Sequence, residues 1–444
     1  MEIESNLNIP LSRWQKMVNR LFYTRDDSPL DHIGTLGGTD PLLPKALAEE
    51  IRRRNIKTKV IHEVGPGNFN FASNLLDNIK NSNYEYHAHD FSTSSHAYVQ
   101  ESLKRFGSRL VFHQRDINKF ASQVDSDPLN LIMVELLDDT FTDFYTQYEG
   151  VDYMLFVKPT ISSEVVLPSK SKYAQKLAND GDFSLHTQRM ANNFGTVRDY
   201  TAKEIIEIIQ SPQNWNSLEN IHPVFLNHLK YPKHEFNPIS IDDLISVNWK
   251  ETKPETLKYL NSVLNFYKRQ LKNADDKKVI PLPIIGINLL WQLKERKSLN
   301  LDIFDYGFGD ISDDFSPFVV HNGQITTSVN FPLLVYAAET LGYNVKLEKN
   351  REFIYRNLGL KTVPAYYAIK LLPHMTKNKD AVYELFKDPV QEINPDVDVT
   401  KDNLLGYRIS EAEFNKFVET VIKIGKCSED YVFHEGSYHL HISK

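Results

Sequence analysis

Glu63-Val64-Gly65-Pro66-Gly67 lies between a β-rich run and a helical one, and it is the stretch of this 444-residue chain with the clearest chemical meaning. Glycine at 65 and 67 lets the backbone turn tightly and approach a ligand at the carboxyl end of a strand. A dinucleotide fingerprint would run G-x-G-x-x-G, whereas position 70 is Asn and position 66 is Pro, which weakens the case for a nicotinamide cofactor without removing it. An acid two residues before the first glycine suits the cationic amino acid portion of S-adenosylmethionine (SAM), which has no pyrophosphate to cradle. Asp90 ends the run Tyr86-His87-Ala88-His89-Asp90, where a carboxylate can accept both hydroxyls of a ribose. Asp116 follows the next such run and can accept from an adenine amino group while the Ile117 amide serves a ring nitrogen. Either acid alone reads as a helix cap or a solvated loop residue. Three acidic strand ends in the order a nucleoside-binding sheet requires are harder to dismiss. Farther along, Glu135 and Asp138 are three residues apart after a fourth apolar run. They can share one side of a turn and hold a cationic nucleophile, or simply sit at a helix start and meet its dipole.

The elements that must position these residues follow from periodicity. Residues 59 to 64, the run ending at Asp90, residues 109 to 113 and residues 129 to 134 are β-rich, with helical intervals between them at Phe71, Ala72, Leu75, Leu76 and Ile79 and over residues 92 to 106. Strand and helix alternating at this length predict a parallel sheet with helices on both faces, an α/β fold. An amphipathic helix over residues 11 to 22 and a second over 41 to 54 precede it. The alternation stops after Phe141 and returns at residues 299 to 306, so roughly 150 residues are inserted, far more than an ordinary connection and enough to cover a site. Within the insertion, Thr201-x-x-Glu204 is a capping box, and Leu257, Leu260, Leu264 and Leu271 mark one face of a helix over 254 to 271. Residues 361 to 444 read as an appendage with its own helix at 411 to 424, capped by Ser410 and Glu413.

The motifs also carry a resemblance. Phe22-Tyr23-Thr24-Arg25-Asp26 is similar to the Y-Y-T-R-D of the MidA family of SAM-dependent methyltransferases, and Glu63 to Gly67 to its E-[VLI]-G-P-G. Val134 to Phe141 resembles the family's N-E-F-[FL]-D-A-L-P, Phe304 to Gly307 its I-D-Y-G, and Ile325 to Phe331 its I-T-A-H-V-D-F. Glu352-Phe353 through Gly359 resembles its closing Q-F-L-x-x-L-G. The eukaryotic members of that family are mitochondrial complex I assembly factors that methylate an arginine. The resemblance implies a class I SAM-methyltransferase fold: a doubly wound, Rossmann-like sheet with a large helical insertion and a carboxy-terminal appendage. It implies SAM as cofactor, held by Thr35, Glu63, Gly65, Pro66, Gly67, Asp90, Asp116 and Ile117, with Glu135 and Asp138 catalytic and a protein or peptide as substrate. The departures fall where the substrate should sit: Val134 replaces the family's asparagine, and Asp139-Thr140-Phe141 replaces A-L-P.

The resulting division is an amino-terminal helical segment (1–56), core strands one to four (57–164), a helical insertion (165–298), the return of the core sheet (299–360) and the appendage (361–444). Two rivals stay open: a nicotinamide-dependent oxidoreductase on the same glycine turn, and a non-catalytic SAM-binding assembly factor. With 51 Lys+Arg against 58 Asp+Glu the net charge of −7 offers no general attraction to nucleic acid or anionic lipid. The longest apolar run, 281 to 293, is interrupted by Asn288 and Gln292 and is too short for a span, so no membrane partner is expected. Cys427 is the single cysteine, which excludes a disulfide framework and a cysteine metal site and fits a reducing compartment. Acidic residues at the amino terminus point to a cytoplasmic protein without a leader. Residues 402 to 413 resemble an EF-hand end but lack its ligands. His434, His439 and His441 have no acidic or cysteine partner at metal-binding spacing, so no metal is expected.

Overall fold

The computed structural model describes residues 1–23, 42–54, 59–79, 84–92, 104–191, 195–243, 253–274, 278–321, 323–358 and 436–444. Its main sheet is built on seven strands: the first Val60–Val64, the second Glu85–Asp90, the third Leu110–Gln114, the fourth Leu129–Val134, the fifth Leu299–Phe308, the sixth Asn344–Lys349 and the seventh Ser437–Ser443. They lie in the order third, second, first, fourth, fifth, seventh, sixth, with the short Val329–Asn330 added parallel to the end of the fifth. The first five pair in parallel, as expected from the alternation. Side chains alternate across this sheet. Leu129, Leu131 and Met133 face helices Ile117–Gln123, Pro254–Asn273, Ile284–Leu293 and Phe331–Thr340, while Ile132 and Val134 face helices Leu42–Arg54, Asn70–Asn78 and Asn350–Leu358. Both faces are therefore covered, which is why the fourth strand is apolar at nearly every position.

Two sequence expectations are corrected here. The carboxy-terminal residues do not form a separate appendage throughout: Ser437–Ser443 runs antiparallel between the fifth and sixth strands. A strand whose alternate residues include three polar ones, Ser437, His439 and His441, carries no continuous apolar signal. The helix expected at 411 to 424, Cys427, His434 and most of the helix expected at 92 to 106 lie outside the described residues. The insertion, read as helical, is mixed. Lys230–Pro238 and Ile280–Leu282 join Asp143–Tyr148 and Val151–Ser162 in a second, antiparallel sheet that also takes in Glu2–Glu4 and Ile9–Pro10. Residues 143 to 162 belong to this sheet and not to the core strands. Their two-residue hairpin turn, Glu149-Gly150, has φ of 50° and 77°, the conformation a tight antiparallel turn needs. The polar composition of Lys230–Pro238 hides it from a search for apolar alternation.

Helix Leu11–Tyr23 packs Leu11, Trp14, Val18, Leu21 and Phe22 on this second sheet, as its spacing predicts. The capping box at Thr201 and Glu204 forms as expected. Helix Pro254–Asn273 buries Leu260, Leu264 and Leu271 together with Tyr259 and Tyr267, whereas Leu257 is only partly covered. No helix among the described residues is long and apolar enough to cross a membrane. One face of the main sheet carries a stack of four histidines: His62 Nδ1 meets His89 Nε2 at 3.0 Å, and His87 Nδ1 meets His113 Nε2 at 3.0 Å. Burial holds His62 down to about 3 and His89 to about 2, so both are neutral at physiological pH.

The seventh strand is fastened by a buried ion network. Arg54 makes a bidentate pair with Asp302 at 2.7 and 2.9 Å, and His439 and His441 reach the same carboxylate at 2.8 and 3.1 Å. Glu348 in the sixth strand takes His439 at 3.2 Å and Arg356 at 2.7 Å, and Arg356 continues to Glu50. The two histidines thus have acidic partners that their sequence neighbourhood did not show. Among the described residues no group of histidines, cysteines and acids is arranged to hold a metal ion. Burial alone would raise the Asp302 carboxyl, but Arg54, His441 and His439 hold it well below the usual carboxylate range. Asp302→Asn is expected to cost about 3 kcal/mol, because it leaves the largely covered Arg54 with Glu50 alone and takes the shared charged acceptor from His439 and His441. A depressed carboxyl stabilises the fold above its unfolded value near ~4 and loses that contribution as pH falls toward the folded value. Urea unfolding should therefore show a constant gap between variant and wild type from pH 5 to 8, narrowing below pH 4. A gap under 1 kcal/mol at pH 7 would contradict this role.

Candidate active site at the carboxyl edge of the sheet

The chain leaves the first strand toward the second and third on one side, then returns to build the fourth and fifth on the other. The carboxyl ends of the first and fourth strands are therefore the switch point of this sheet, the position where open α/β sheets bind ligands in a crevice. Residues 65–69 and 135–141 leave the sheet at this crevice.

On the first-strand side, Gly65 and Gly67 have φ of 73° and 55°, and Phe69 has φ of 64°. The Gly65 amide donates to His89 O at 2.9 Å, and the Phe69 amide closes the turn on Pro66 O at 2.9 Å. A left-handed phenylalanine is strained by about 1–3 kcal/mol. Its ring is fully buried in the core on that face of the sheet, tilted against Phe112, which contributes about 1.5–3 kcal/mol and offsets that strain. A Cβ on Gly65 would meet Leu136 Cδ1 at 2.7 Å, so the room kept by this glycine is taken up by the facing loop. Glu63, one residue before the end of the strand, is 1% exposed and its Oε2 has no hydrogen-bond partner. Burial, with a smaller push from Asp90, raises its carboxyl to about 8 despite the Tyr86 hydroxyl beside it. Asp90 ends the second strand, 7% exposed, with Oδ1 accepting from the Ser92 amide at 2.8 Å.

On the fourth-strand side the organiser is Asp305, in the fifth strand. Its Oδ2 accepts from the amides of Leu136, Leu137 and Asp138 at 3.2, 2.8 and 3.4 Å, and its Oδ1 from Tyr306 at 2.8 Å. Curling three successive amides toward one oxygen throws Glu135 into the left-handed region, φ 46°. Asp138 is turned inward: it is 5% exposed, and burial and the adjacent Asp305 raise it well above its ordinary range. Its Oδ1 has no hydrogen-bond partner. Asp139 points the other way, to Tyr23 and Gln324.

Of the residues expected from sequence, Glu63, Gly65, Pro66, Gly67, Asp90, Glu135 and Asp138 stand at the ends of the first, second and fourth strands along this one edge. Asp116 and Ile117 follow the third strand farther along it. There Asp116 is exposed and caps helix Ile117–Gln123, accepting from the Asn118 amide at 2.8 Å, while Ile117 leans on the core. Thr35 lies outside the described residues. What sequence reasoning missed is a polar stripe on the first helix. Gln15 donates to Asp138 O and Ile325 O, and Asn19 to Asp139 O and Ile325 O. With Tyr23 they follow one another at four-residue spacing, a signal readable beside the apolar stripe.

No family model matches this chain, and no curated protein matches it. Among solved structures it is similar to a superfamily member from Burkholderia thailandensis described as a "likely methyl transferase" bound to S-adenosyl-homocysteine. The identity is 13% and the TM-score 0.46, over 98% of this chain and 88% of that one. It is similar to the same extent to a native crystal structure of an uncharacterized protein of that superfamily from the same organism, at 13% identity and TM-score 0.46, over 98% of this chain and 87% of that one.

The strained Glu135 generates a stability test. A non-glycine residue at this φ costs about 1–3 kcal/mol, so Glu135→Gly should raise unfolding stability by about 1 kcal/mol in urea. A loss of stability in that variant would show that the Glu135 side chain holds the loop, and not that the loop holds it.

Proposed function

We propose that this chain is a SAM-dependent methyltransferase of the class I, doubly wound type, acting on a nitrogen of a protein side chain, arginine by its resemblance to the MidA family. The observation that carries the reading is the crevice between the first and fourth strands. There a left-handed glycine turn, a buried unpartnered Glu63 oxygen and the strand-end Asp90 stand opposite a strained acidic loop. The residues fit the cofactor as follows. Glu63 Oε2 suits the ammonium of the amino acid portion, Asp90 the ribose hydroxyls, and the left-handed backbone at Gly67 the backbone-like aminobutyrate chain. Asp116 and the Ile117 amide, farther along the edge, suit the adenine. When bound, the cofactor supplies an electrophilic methyl group on a sulfonium. The chain's own residues then have to bring a nucleophile into line and keep water out. Glu135 presents its carboxylate at the end of the fourth strand, held there by Asp305, and a carboxylate in that place orients an N–H-bearing nucleophile toward the cofactor side of the crevice. A nicotinamide cofactor fits less well, since the glycine turn lacks the third glycine of the dinucleotide fingerprint, with Asn70 in its place.

Tritium transfer from labelled SAM to protein extract, run beside S-adenosyl-homocysteine binding, tests this. Glu135→Gln should lower transfer on the order of 10²-fold while leaving the affinity for S-adenosyl-homocysteine within about threefold of wild type. Tight binding of S-adenosyl-homocysteine with no transfer by wild type to any extract fraction would leave a SAM-binding assembly factor in place of an enzyme.

A further inference from the structure

The loop after the fourth strand holds one acid that the resemblance does not account for. Where the MidA motif has alanine, this chain has Asp139, and the structure builds around it. Tyr23, the last residue of helix Leu11–Tyr23, donates its hydroxyl to Asp139 Oδ2. Gln324 Nε2 lies 2.7 Å from Asp139 Oδ1 and 2.6 Å from the Tyr23 oxygen. The backbone of Tyr23 is fixed in turn, its carbonyl accepting from Ser92 Oγ at 3.0 Å, two residues beyond Asp90. One residue, through its carbonyl and its hydroxyl, thus ties the ribose-side loop to the acidic loop.

We propose that Asp139 is the proton acceptor of this site, with Tyr23 and Gln324 as the positioning residues that hold its carboxylate. The inference rests on the methyl-transfer reading. A nitrogen that takes a methyl group forms one N–C bond and loses one proton. The carbon–sulfur pair leaves with sulfur, the N–H pair stays on nitrogen, and the proton ends on Asp139. Glu135 has the separate task of orienting the nucleophile, and the two inward acids are less suited to taking its proton. Asp305 is fully buried and committed to four backbone amides, and Asp138 is turned inward against it and raised well above its ordinary range. Asp139 is only partly buried. The groups that act on it are Tyr23 from the first helix, Gln324 from the strand Gln324–Thr327 and Asp305 from the fifth strand, with Asp138 and Glu135 of its own loop acting on Tyr23. Burial raises its carboxyl, Tyr23 and Gln324 draw it back, and it rests at about 7, where a base both exists as the anion and takes a proton readily. Tyr23 itself is pushed well above its ordinary range by burial and by these carboxylates, so it stays a neutral donor.

The test is tritium transfer from SAM to a mixed peptide library carrying arginine, lysine and glutamine, from pH 5.5 to 9, with S-adenosyl-homocysteine affinity measured on the same samples. Wild-type kcat should rise with pH through a midpoint at about 7 and level off above about 8. Asp139→Asn should lose that limb and on the order of 10²-fold in kcat. Tyr23→Phe removes a donor to the carboxylate, so its limb should move to higher pH while its plateau stays within about tenfold of wild type. A brace with no part in proton transfer would lower all rates without moving the limb. Identical pH profiles for wild type and both variants would overturn the proposal, as would wild type that binds S-adenosyl-homocysteine but transfers no methyl group. Failure to bind S-adenosyl-homocysteine would instead overturn the methyl-transfer reading itself.

Discussion

The convergence of three backbone amides on one oxygen of Asp305 is the constraint from which the rest of the crevice follows. Each such hydrogen bond contributes about 0.5–1.5 kcal/mol, and together they offset the ~1–3 kcal/mol strain of the left-handed Glu135. The curl they impose alternates the acids of the loop. Glu135 emerges at the strand end, Asp138 turns in against Asp305, and Asp139 turns out to the first helix. Leu136 is carried into the space left by Gly65, so the two loops of the crevice lock to each other. A residue in the fifth strand, some 170 positions away in sequence, therefore sets the geometry of the loop after the fourth.

Around that centre, the amino-terminal helix serves as a splint. Its apolar stripe lies on the second sheet, and on its polar stripe Gln15 and Asn19 satisfy the carbonyls of residues 139 and 325 and add to the bonds Thr327 makes to that of Asp138, while Tyr23 takes the Asp139 carboxylate. Those bonds are buried, and leaving such groups unpaired costs about 1–3 kcal/mol each. The helix thus joins the second sheet to the crevice, while the network of Arg54, Asp302, His439 and Glu348 closes the far side of the main sheet around its last strand.

Much of this was readable in the sequence, for definite reasons. Strands with both faces covered are apolar throughout, so Leu129–Val134 stood out. Glycines at 65 and 67 have no cheap substitute in a left-handed turn, so the turn stood out as well. The seventh strand did not, because half of its face is spent on histidines whose partners, Asp302 and Glu348, come from distant elements. Lys230–Pro238 was hidden by its charges, and the second sheet with it. Asp139 looked like one more acid in an acidic loop. Only its pairing with Tyr23 and Gln324, more than a hundred residues away on either side, distinguishes it from Asp138. Asp305 was visible as part of a motif, but its task of gathering amides depends on how the fourth and fifth strands are registered, which no local pattern encodes.

On the proposed reading, the buried carboxyl of Glu63, whose Oε2 has no hydrogen-bond partner, receives the ammonium group of a SAM-type ligand at the strand switch. In the free protein burial holds this carboxyl up to about 8, so at pH 7 it carries its proton. A cation beside it favours the carboxylate and expels that proton. Calorimetric titration with S-adenosyl-homocysteine at pH 7, in two buffers of different ionisation enthalpy, reads the proton directly. The account predicts saturable binding with release of about one proton in wild type and none in Glu63→Gln. Binding of NAD in preference to S-adenosyl-homocysteine, or binding of S-adenosyl-homocysteine with the same heat in both buffers, would contradict it.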